Sequence, residues 1–193
     1  MKIKKPVIIT ASLILLGAVS AAARCIYMRS VTPDEYMIQT ENTPEYQSHV
    51  ECAGYSAAYV LRHFGENAHG LEMYNEIDTK NENGTVNPDA VIRLLKKKGY
   101  KGSIKLGSIN SLKYYISKGT PVIILCREKP GSQYLHYMAV VGYDKEHIYA
   151  SDSLDYMVNA SDPHYNRSVS LDDLEQMWDI GYPVKNIYIT VRA

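Results

Sequence analysis

The sequence predicts an α+β fold in which N-terminal helices pack on a mainly antiparallel sheet. From Cys52 to Gly119, apolar residues recur mainly at helical spacing, whereas beyond Pro121 the domain contains runs rich in β-branched residues. Two apolar runs, 134–143 and 147–151, are separated by an Asp-Lys-Glu turn and therefore predict a β-hairpin. Helices that come first and strands that follow are typical of α+β domains.

The helices have recognisable first and last residues. The first helix of the domain starts at Cys52 and ends at Gly65, a residue suited to a helix C terminus. Asn87 followed by Pro88 is a strong helix start. Ser170 starts the last helix, with an acidic residue three positions on, as in a capping box. The predicted helices are 52–65, 71–77, 87–99, 108–119 and 170–178, and the predicted strands are 103–106, 122–126, 134–143, 147–151 and 186–191.

The composition excludes several classes of protein. The 193 residues include 21 Lys and Arg and 21 Asp and Glu, so the formal net charge is zero and no basic footprint for nucleic acid is expected. A hydrophobic content of 46% is too high for a disordered chain. Three cysteines are too few for a disulfide scaffold. A folded domain that does not bind nucleic acid is therefore predicted.

The N terminus is predicted to be an export segment. Lys2, Lys4 and Lys5 precede an uncharged apolar run, residues 6–23. That run has about the minimum length for a helix that crosses a bilayer, and a basic start followed by small residues is also typical of a secretory signal peptide. Residues 1–29 are therefore predicted to be a signal anchor or a signal peptide, with the lysines on the cytoplasmic side.

The rest of the chain is predicted to lie outside the cytoplasm, either on a single-pass membrane anchor or secreted after cleavage. Residues 30–45 are interpreted as a polar linker and residues 46–193 as one compact domain. Residues 1–29 hold five of the 21 basic residues and none of the acidic ones. The exported part is therefore mildly acidic.

Cys52 is the candidate nucleophile. It stands where the first helix of the domain begins, and unsatisfied N–H groups and the helix dipole favour a thiolate at such a position. A thiolate is the reactive form in covalent catalysis. The alternative is a buried helix cysteine that packs as a small hydrophobic residue.

Three further residues fit chemistry at Cys52. His136 lies inside an apolar run, where a titratable ring needs a partner, and it is the candidate base. The predicted hairpin returns the chain so that Asp152 comes near His136, where a carboxylate orients an imidazole. Gln47, five residues before Cys52, is a candidate oxyanion donor. His49 is an alternative base, but it lies too close to Cys52 in sequence to reach around the helix start.

No metal site or cofactor site is predicted, because the chain has no close ligand pair such as C-x-x-C. Cys126 is interpreted as a core thiol, with a Cys52–Cys126 disulfide as the alternative. Nothing in the sequence sets the oligomeric state.

The order Gln, Cys at a helix start, His in a strand and Asp across a hairpin is that of papain-like cysteine peptidases. The segment ECAGYSAAYVLRHFG, residues 51–65, resembles the nucleophile helix of peptidase family thirty-nine. The segments HYMAVVGYD, residues 136–144, and IYASDS, residues 148–153, are similar to the His and Asp strands of that family. The family comprises the bacteriocin-processing, double-glycine leader peptidases and their stand-alone relatives. The resemblance is to the stand-alone type, because no nucleotide-binding segment follows.

The resemblance implies a papain-like cysteine peptidase fold and a role for each matching residue. Cys52 is then the nucleophile, His136 the base and later the acid, Asp152 the orienting carboxylate and Gln47 the oxyanion donor. The expected function is an exported or membrane-anchored peptidase that acts on a peptide or protein substrate and touches the membrane through residues 6–23. A catalytically inactive binding module and an acyl or peptidyl transferase that uses the same Cys52 remain as alternatives.

Overall fold

The computed structural model describes residues 19–20, 22–181 and 185–193 of the protein. The apolar run of the predicted export segment, residues 6–23, lies outside the described residues except for 19, 20, 22 and 23. Residues 22–31 are helical and lead into the domain. In the described ranges, no helix is both long and apolar enough to span a bilayer.

The strands of the described residues form one sheet in which each pair of neighbours runs antiparallel. This confirms the predicted α+β class with an antiparallel sheet. The strands are β1 (Tyr36–Met37), β2 (Lys101–Leu106), β3 (Val122–Arg127), β4 (Leu135–Tyr143), β5 (His147–Ser151), β6 (Arg167–Ser170) and β7 (Ile187–Arg192). Their order across the sheet is β2-β7-β3-β4-β5-β6, and β1 pairs with the end of β4.

Helices cover both faces of this sheet. They are α1 (Cys52–His63), α2 (Gly70–Glu76), α3 (Pro88–Lys97), α4 (Ile109–Ile116) and α5 (Leu171–Trp178), and Asp155–Met157 form a short 3-10 turn. The helices α1 and α3 pack on one face, with Val60 and Leu94 in the core, whereas α4 and α5 pack on the other, with Leu112 and Trp178 in the core. The sequence analysis expected N-terminal helices on the sheet, and the structure adds that helices cover both faces.

The strand β3 explains why the centre of the sheet could be recognised from the sequence. Ile123 and Leu125 face the α1 side, while Ile124 and Cys126 face the α4 side. A strand buried on both faces is apolar at every position, so it is conspicuous as a continuous run. The strands β1 and β6 were not predicted, because they have only two and four residues and lie in polar stretches.

The segment 30–45, predicted to be a linker, packs against the domain. The strand β1 pairs with β4, and Ile38 is buried. The Asn42 side chain donates to the Tyr59 carbonyl at 2.8 Å, and Arg62 donates to both Asn42 and Glu45. These contacts fasten the segment that leads to α1 against the C-terminal half of that helix.

Candidate active site

Three elements meet at one end of the sheet and carry the predicted site residues. Cys52 is the first residue of α1, which packs against β4. His136 is the second residue of β4 and is buried. Asp152 directly follows β5, and Ala139 pairs with Ser151 in the β4–β5 hairpin. The predicted hairpin therefore brings Asp152 next to His136, as the sequence analysis expected.

His136 and Asp152 form a buried pair. The His136 Nε2 atom lies 2.7 Å from Asp152 Oδ1, and the side chains are 3% and 0% exposed. Because Nε2 is used by Asp152, Nδ1 is the nitrogen that remains for another partner. The carboxylate thus selects the orientation of the ring and the tautomer that it adopts.

The other partner of His136 is Cys52. Its thiol lines the same cleft as the imidazole and helps to raise the pKa of His136. Cys52 itself is partly exposed, and its Sγ atom lies 4.0 Å from the Val50 carbonyl oxygen. The structure therefore brings thiol, imidazole and carboxylate to one site, in which Cys52 is partly exposed and His136 and Asp152 are buried.

The charges of this group reinforce one another. Burial lowers the pKa of His136, but the charge and hydrogen bond of Asp152 and the neighbouring Cys52 outweigh burial and raise it well above the ordinary value. Burial raises the pKa of Asp152, but His136, Arg167 and the Leu154 amide outweigh burial and hold that pKa below its usual range. The arrangement favours an imidazolium beside a carboxylate.

Gln47 lies at the same site but is held by local bonds. Its amide nitrogen donates to the His49 carbonyl at 2.6 Å, and its amide oxygen accepts from the Ser153 hydroxyl at 2.6 Å. The Gln47 backbone N–H also donates to the Ser153 carbonyl. Because Ser153 follows Asp152, these bonds join the segment before the nucleophile to the loop that carries the carboxylate.

Two residues of β6 and its approach complete the surroundings of Asp152, and the sequence analysis missed both. Arg167 donates through Nη1 to Asp152 Oδ2 and through Nη2 to the Glu128 carbonyl. Asn166 accepts from the Asp152 N–H at 2.8 Å and donates to the Asp152 carbonyl at 2.7 Å. The only available signal was the alternation of Arg167 and Val169 with two serines, which fits a strand with one buried side.

An open cleft of about 610 Å³ lies above Cys52 and His136. Its lining includes a polar loop with Asn81, Asn83 and Asn87 and the aromatic side chains of Tyr134 and Tyr156. A cleft of this size accommodates several residues of an extended peptide or a comparable ligand. The thiol is thus reached from solvent, His136 lines the cleft but is almost fully buried, and Asp152 is buried beneath it.

The remaining candidates lie near the site but make no hydrogen bond to the side chains of Cys52, His136 or Asp152 among the described contacts. Cys126 is fully buried, and burial raises the pKa of its thiol. Cys25, Cys52 and Cys126 are all free thiols, so the alternative Cys52–Cys126 disulfide is not formed. His49 lines the cleft, but its recorded hydrogen bonds are made by its backbone, to Glu51 and Gln47.

Comparison with known proteins assigns the chain to a family. Residues 35–183 match the Peptidase_C39 like family. No curated protein matches the chain. Several solved structures have a similar fold at low sequence identity.

A C39-like peptidase from Bacillus anthracis is 18% identical, with a TM-score of 0.64, and the match covers 83% of this chain and 98% of that one. The peptidase domain of Streptococcus ComA, a bifunctional ABC transporter, is 18% identical, with a TM-score of 0.60 and coverage of 79% and 98%. A double glycine motif protease from an AMS/PCAT transporter, in complex with the leader peptide, is 12% identical, with a TM-score of 0.56 and coverage of 80% and 96%. These likenesses show that the fold is shared.

The family match covers most of the chain, including α1, the β4–β5 hairpin and β6. The protein therefore belongs to the Peptidase_C39 like family and is a cysteine-type peptidase.

Proposed function

We propose that this peptidase is exported and membrane-anchored, and that it cleaves peptide bonds through a thioacyl intermediate on Cys52. The observation that carries the proposal is the group of side chains at the cleft, in which Cys52 and His136 line the same cavity and His136 is bonded to Asp152. A nucleophile, a base and an orienting carboxylate in hydrogen-bonding reach are what acyl transfer requires.

In the proposed reaction, His136 accepts the Cys52 proton, and the thiolate attacks the carbonyl carbon of the scissile bond. Collapse of the tetrahedral intermediate breaks the C–N bond, and His136 gives the proton to the leaving amine. A water molecule then attacks the thioester while His136 removes a proton from it. Release of the carboxylic acid returns that proton to the Cys52 sulfur.

Asp152 is proposed to hold the ring in the orientation that this cycle needs. Its bond to Nε2 leaves Nδ1 as the nitrogen that can exchange a proton with Cys52, and its charge stabilises the imidazolium that forms when the thiol loses its proton. Because Asp152 is itself held by Arg167, Asn166 and the Leu154 amide, the ring has little freedom to turn away.

The oxyanion of the intermediate is proposed to bind between the Cys52 backbone N–H and Gln47. The first N–H groups of a helix have no partner within that helix, so α1 directs donors toward this point. Gln47 lines the same cleft, and its amide nitrogen carries a second hydrogen besides the one donated to His49.

A peptide is the proposed substrate class. The cleft is open, and its rim exposes Tyr134 by 74% and Tyr156 by 66%. Aromatic side chains at this level of exposure suit contact with apolar side chains of a bound chain. A solved structure of similar fold holds a leader peptide, which supports a peptide as the ligand.

The proposed location rests on residues 6–23, an apolar run preceded by three lysines. We propose that this run anchors the protein in the cell membrane, with the peptidase domain outside the cytoplasm. The mass of the mature chain in the membrane fraction tests this. A full-length mass supports an anchor, whereas a secreted chain that starts near Arg24 overturns it.

Thiol reactivity tests the proposed nucleophile. The full-length chain in detergent is treated with limiting iodoacetamide at pH 6, and each cysteine is followed by peptide mapping. Cys52 should react about tenfold faster than the exposed Cys25, because an ordinary thiol is mostly protonated at this pH. The buried Cys126 should react slowest. Equal rates at Cys52 and Cys25 would support the inactive binding module instead.

Product analysis separates hydrolysis from transfer. Both reactions share Cys52, His136 and Asp152, and they differ only in whether water or an amine attacks the thioester. Mass spectrometry of a peptide digest with and without added amine distinguishes them. A free carboxylate product in excess amine supports the peptidase, whereas a dominant amide product supports the transferase.

A further inference from the structure

We propose that Arg167 is a positioning residue of this site, whose guanidinium balances Asp152 so that the buried group can hold a thiolate and an imidazolium together. This inference rests on the proposed roles of Cys52 and His136. It gives the strand β6, which carries Arg167, a role in addition to those proposed for Cys52, His136 and Asp152.

The contacts of Arg167 divide between the carboxylate and the cleft wall. Its Nη1 atom donates to Asp152 Oδ2, the oxygen that His136 leaves free, and its Nη2 atom donates to the Glu128 carbonyl. The Arg167 side chain is 4% exposed, so the charge is almost as buried as that of Asp152. One guanidinium therefore ties the carboxylate to the loop between β3 and β4.

The backbone places Arg167 at this point. Ala150 pairs with Arg167 in the β5–β6 ladder, and Asp152 comes two residues later on the same strand side. Asn166 bonds to both the N–H and the carbonyl of Asp152. The carboxylate is thus held through its side chain and its backbone by the same short segment.

The charges alternate along the group. In the reactive state, the thiolate, the imidazolium, the carboxylate and the guanidinium follow one another, so two negative charges face two positive ones. Without Arg167, the partly exposed thiolate and the buried carboxylate share one imidazolium, and a half-paired buried carboxylate is strongly unfavourable. The guanidinium therefore supports the ion pair from the far side of the carboxylate.

The other groups around Asp152 do not supply this balance. From β4 it is faced by His136, from the following turn by the Leu154 N–H, and from β3 by the neutral, buried thiol of Cys126. Glu128 meets Arg167 through its backbone carbonyl, and its carboxylate accepts from the Tyr156 hydroxyl. Among the described residues, Arg167 is the only permanent cation bonded to Asp152.

The test compares two substitutions that remove charges of opposite sign. Arg167→Met removes a positive charge and leaves the negative charge of Asp152 unbalanced. The substitution should raise the pH at which Cys52 becomes a thiolate and the pH at which the His136 imidazolium loses its proton. Loss of the carboxylate charge in Asp152→Asn should shift both to lower pH. If Arg167 had only a structural role, its loss would lower the reaction rate but would not move the two titration midpoints together.

Two readouts follow the two steps in the full-length chain. The rate of Cys52 alkylation against pH reports thiolate formation, and the NMR signal of the His136 ring, assigned by its loss in His136→Ala, reports the imidazolium. We expect Arg167→Met to move both midpoints up by about one pH unit, equivalent to about tenfold less thiolate on the acid side. Midpoints identical to those of the natural chain would overturn the proposal.

Control variants keep this result interpretable. Arg93 also holds two carboxylates, Asp78 and Asp89, but at the surface, so Arg93→Met should leave both midpoints unchanged. Arg167→Lys keeps the charge and should restore both midpoints even if the lost bond to the Glu128 carbonyl slows the reaction. Midpoints in Arg167→Lys that match Arg167→Met would contradict a charge-based role.

A double variant covers the case in which Arg167→Met does not fold. Asp152→Asn with Arg167→Met removes both buried charges, and its midpoints should lie above those of Asp152→Asn alone. Equal midpoints in these two variants would also overturn the proposal. If Cys52 of the natural chain reacts no faster than Cys25, the proposed function itself fails, and that outcome is distinct from a failure at Arg167.

Discussion

Two clusters in this protein combine an arginine, a carboxylate and a histidine, and they differ in burial. The surface cluster comprises Arg62, Glu45 and His69, with side chains 19%, 30% and 56% exposed. The buried cluster comprises Arg167, Asp152 and His136, with exposures of 4%, 0% and 3%. Both carboxylates accept from a guanidinium on one oxygen and contact an imidazole on the other.

The difference shows that residue types alone do not make the site. In the surface cluster, water screens the charges, and the bonds serve to fasten the segment before α1. In the buried cluster, the same bonds act almost without solvent, and the imidazole shares its cleft with the thiol of Cys52. The buried cluster differs from the structural one in two ways: its charges are shielded from water, and the thiol of Cys52 lies beside it.

The largest expected effect is a difference in the rate of peptide hydrolysis between variants of the two histidines, His136 and His69. His136→Ala removes the proposed base and should lower peptide hydrolysis by a factor on the order of 10³ to 10⁴, a range typical of general acid–base groups. His69→Ala should leave the rate within about twofold. Hydrolysis of a fluorogenic peptide library by both variants measures this. Comparable losses at both positions would remove the functional distinction between the clusters.

The next largest effect is a difference in the free energy of unfolding between variants of the two carboxylates, Asp152 and Glu45. Asp152→Ala leaves Arg167 buried without its counter-charge and should cost about 3–5 kcal/mol of the free energy of unfolding. Glu45→Ala should cost about 1 kcal/mol, because solvent screens its partners. Urea unfolding followed by circular dichroism measures both. A larger loss for Glu45→Ala than for Asp152→Ala would contradict the contrast in burial.

Gln47 lies two residues after Glu45 and bonds beside Asp152, so it joins the two clusters. Gln47→Ala removes a proposed oxyanion donor and should lower kcat by about 10²-fold with little change in KM. Gln39→Ala, at an exposed side chain that bonds only to a nearby carbonyl, is the matched control. A rise in KM at constant kcat would assign Gln47 to substrate binding instead.

The smallest effect is the pH dependence of stability. The pKa of Asp152 is lowered in the fold, so its contribution is present above the unfolded value of about 3.9 and is lost as pH falls through the lowered pKa. The pKa of His136 is raised, so its contribution is complete below about pH 6.5 and is lost as pH rises through the raised pKa. Stability should therefore be highest between about pH 4 and 6.5.

Melting temperatures of the natural chain and of His136→Gln across pH 3 to 10 check this window. The variant should lose less stability than the natural chain on the alkaline side, because it lacks the titrating ring. His69→Gln should follow the natural chain. An alkaline loss that is equal in His136→Gln would show that another group causes it.

Prediction from sequence was successful where one local pattern determined the structure. The helix that starts at Cys52, the hairpin that carries His136 and Asp152, and the continuous apolar run of β3 all have periodicity or end signals of their own. The roles of Cys52, His136, Asp152 and Gln47 stay predictions that the reactivity and activity measurements test. The bonds of Gln47 to His49 and Ser153 had no sequence signal, because both depend on how two loops meet.

The sequence by itself determined the class of fold, the order of its main elements and which thiol, imidazole and carboxylate to consider. Hydrophobic periodicity and helix-end residues are patterns of a few neighbouring residues, so they can be recognised from the sequence alone. Only the tertiary structure decided that Arg167 balances Asp152, that segment 30–45 packs on the domain, and that one Arg–carboxylate–His cluster is buried while the other faces water. These features depend on burial and on contacts between residues distant in sequence, which set the local screening of charge and have no local pattern.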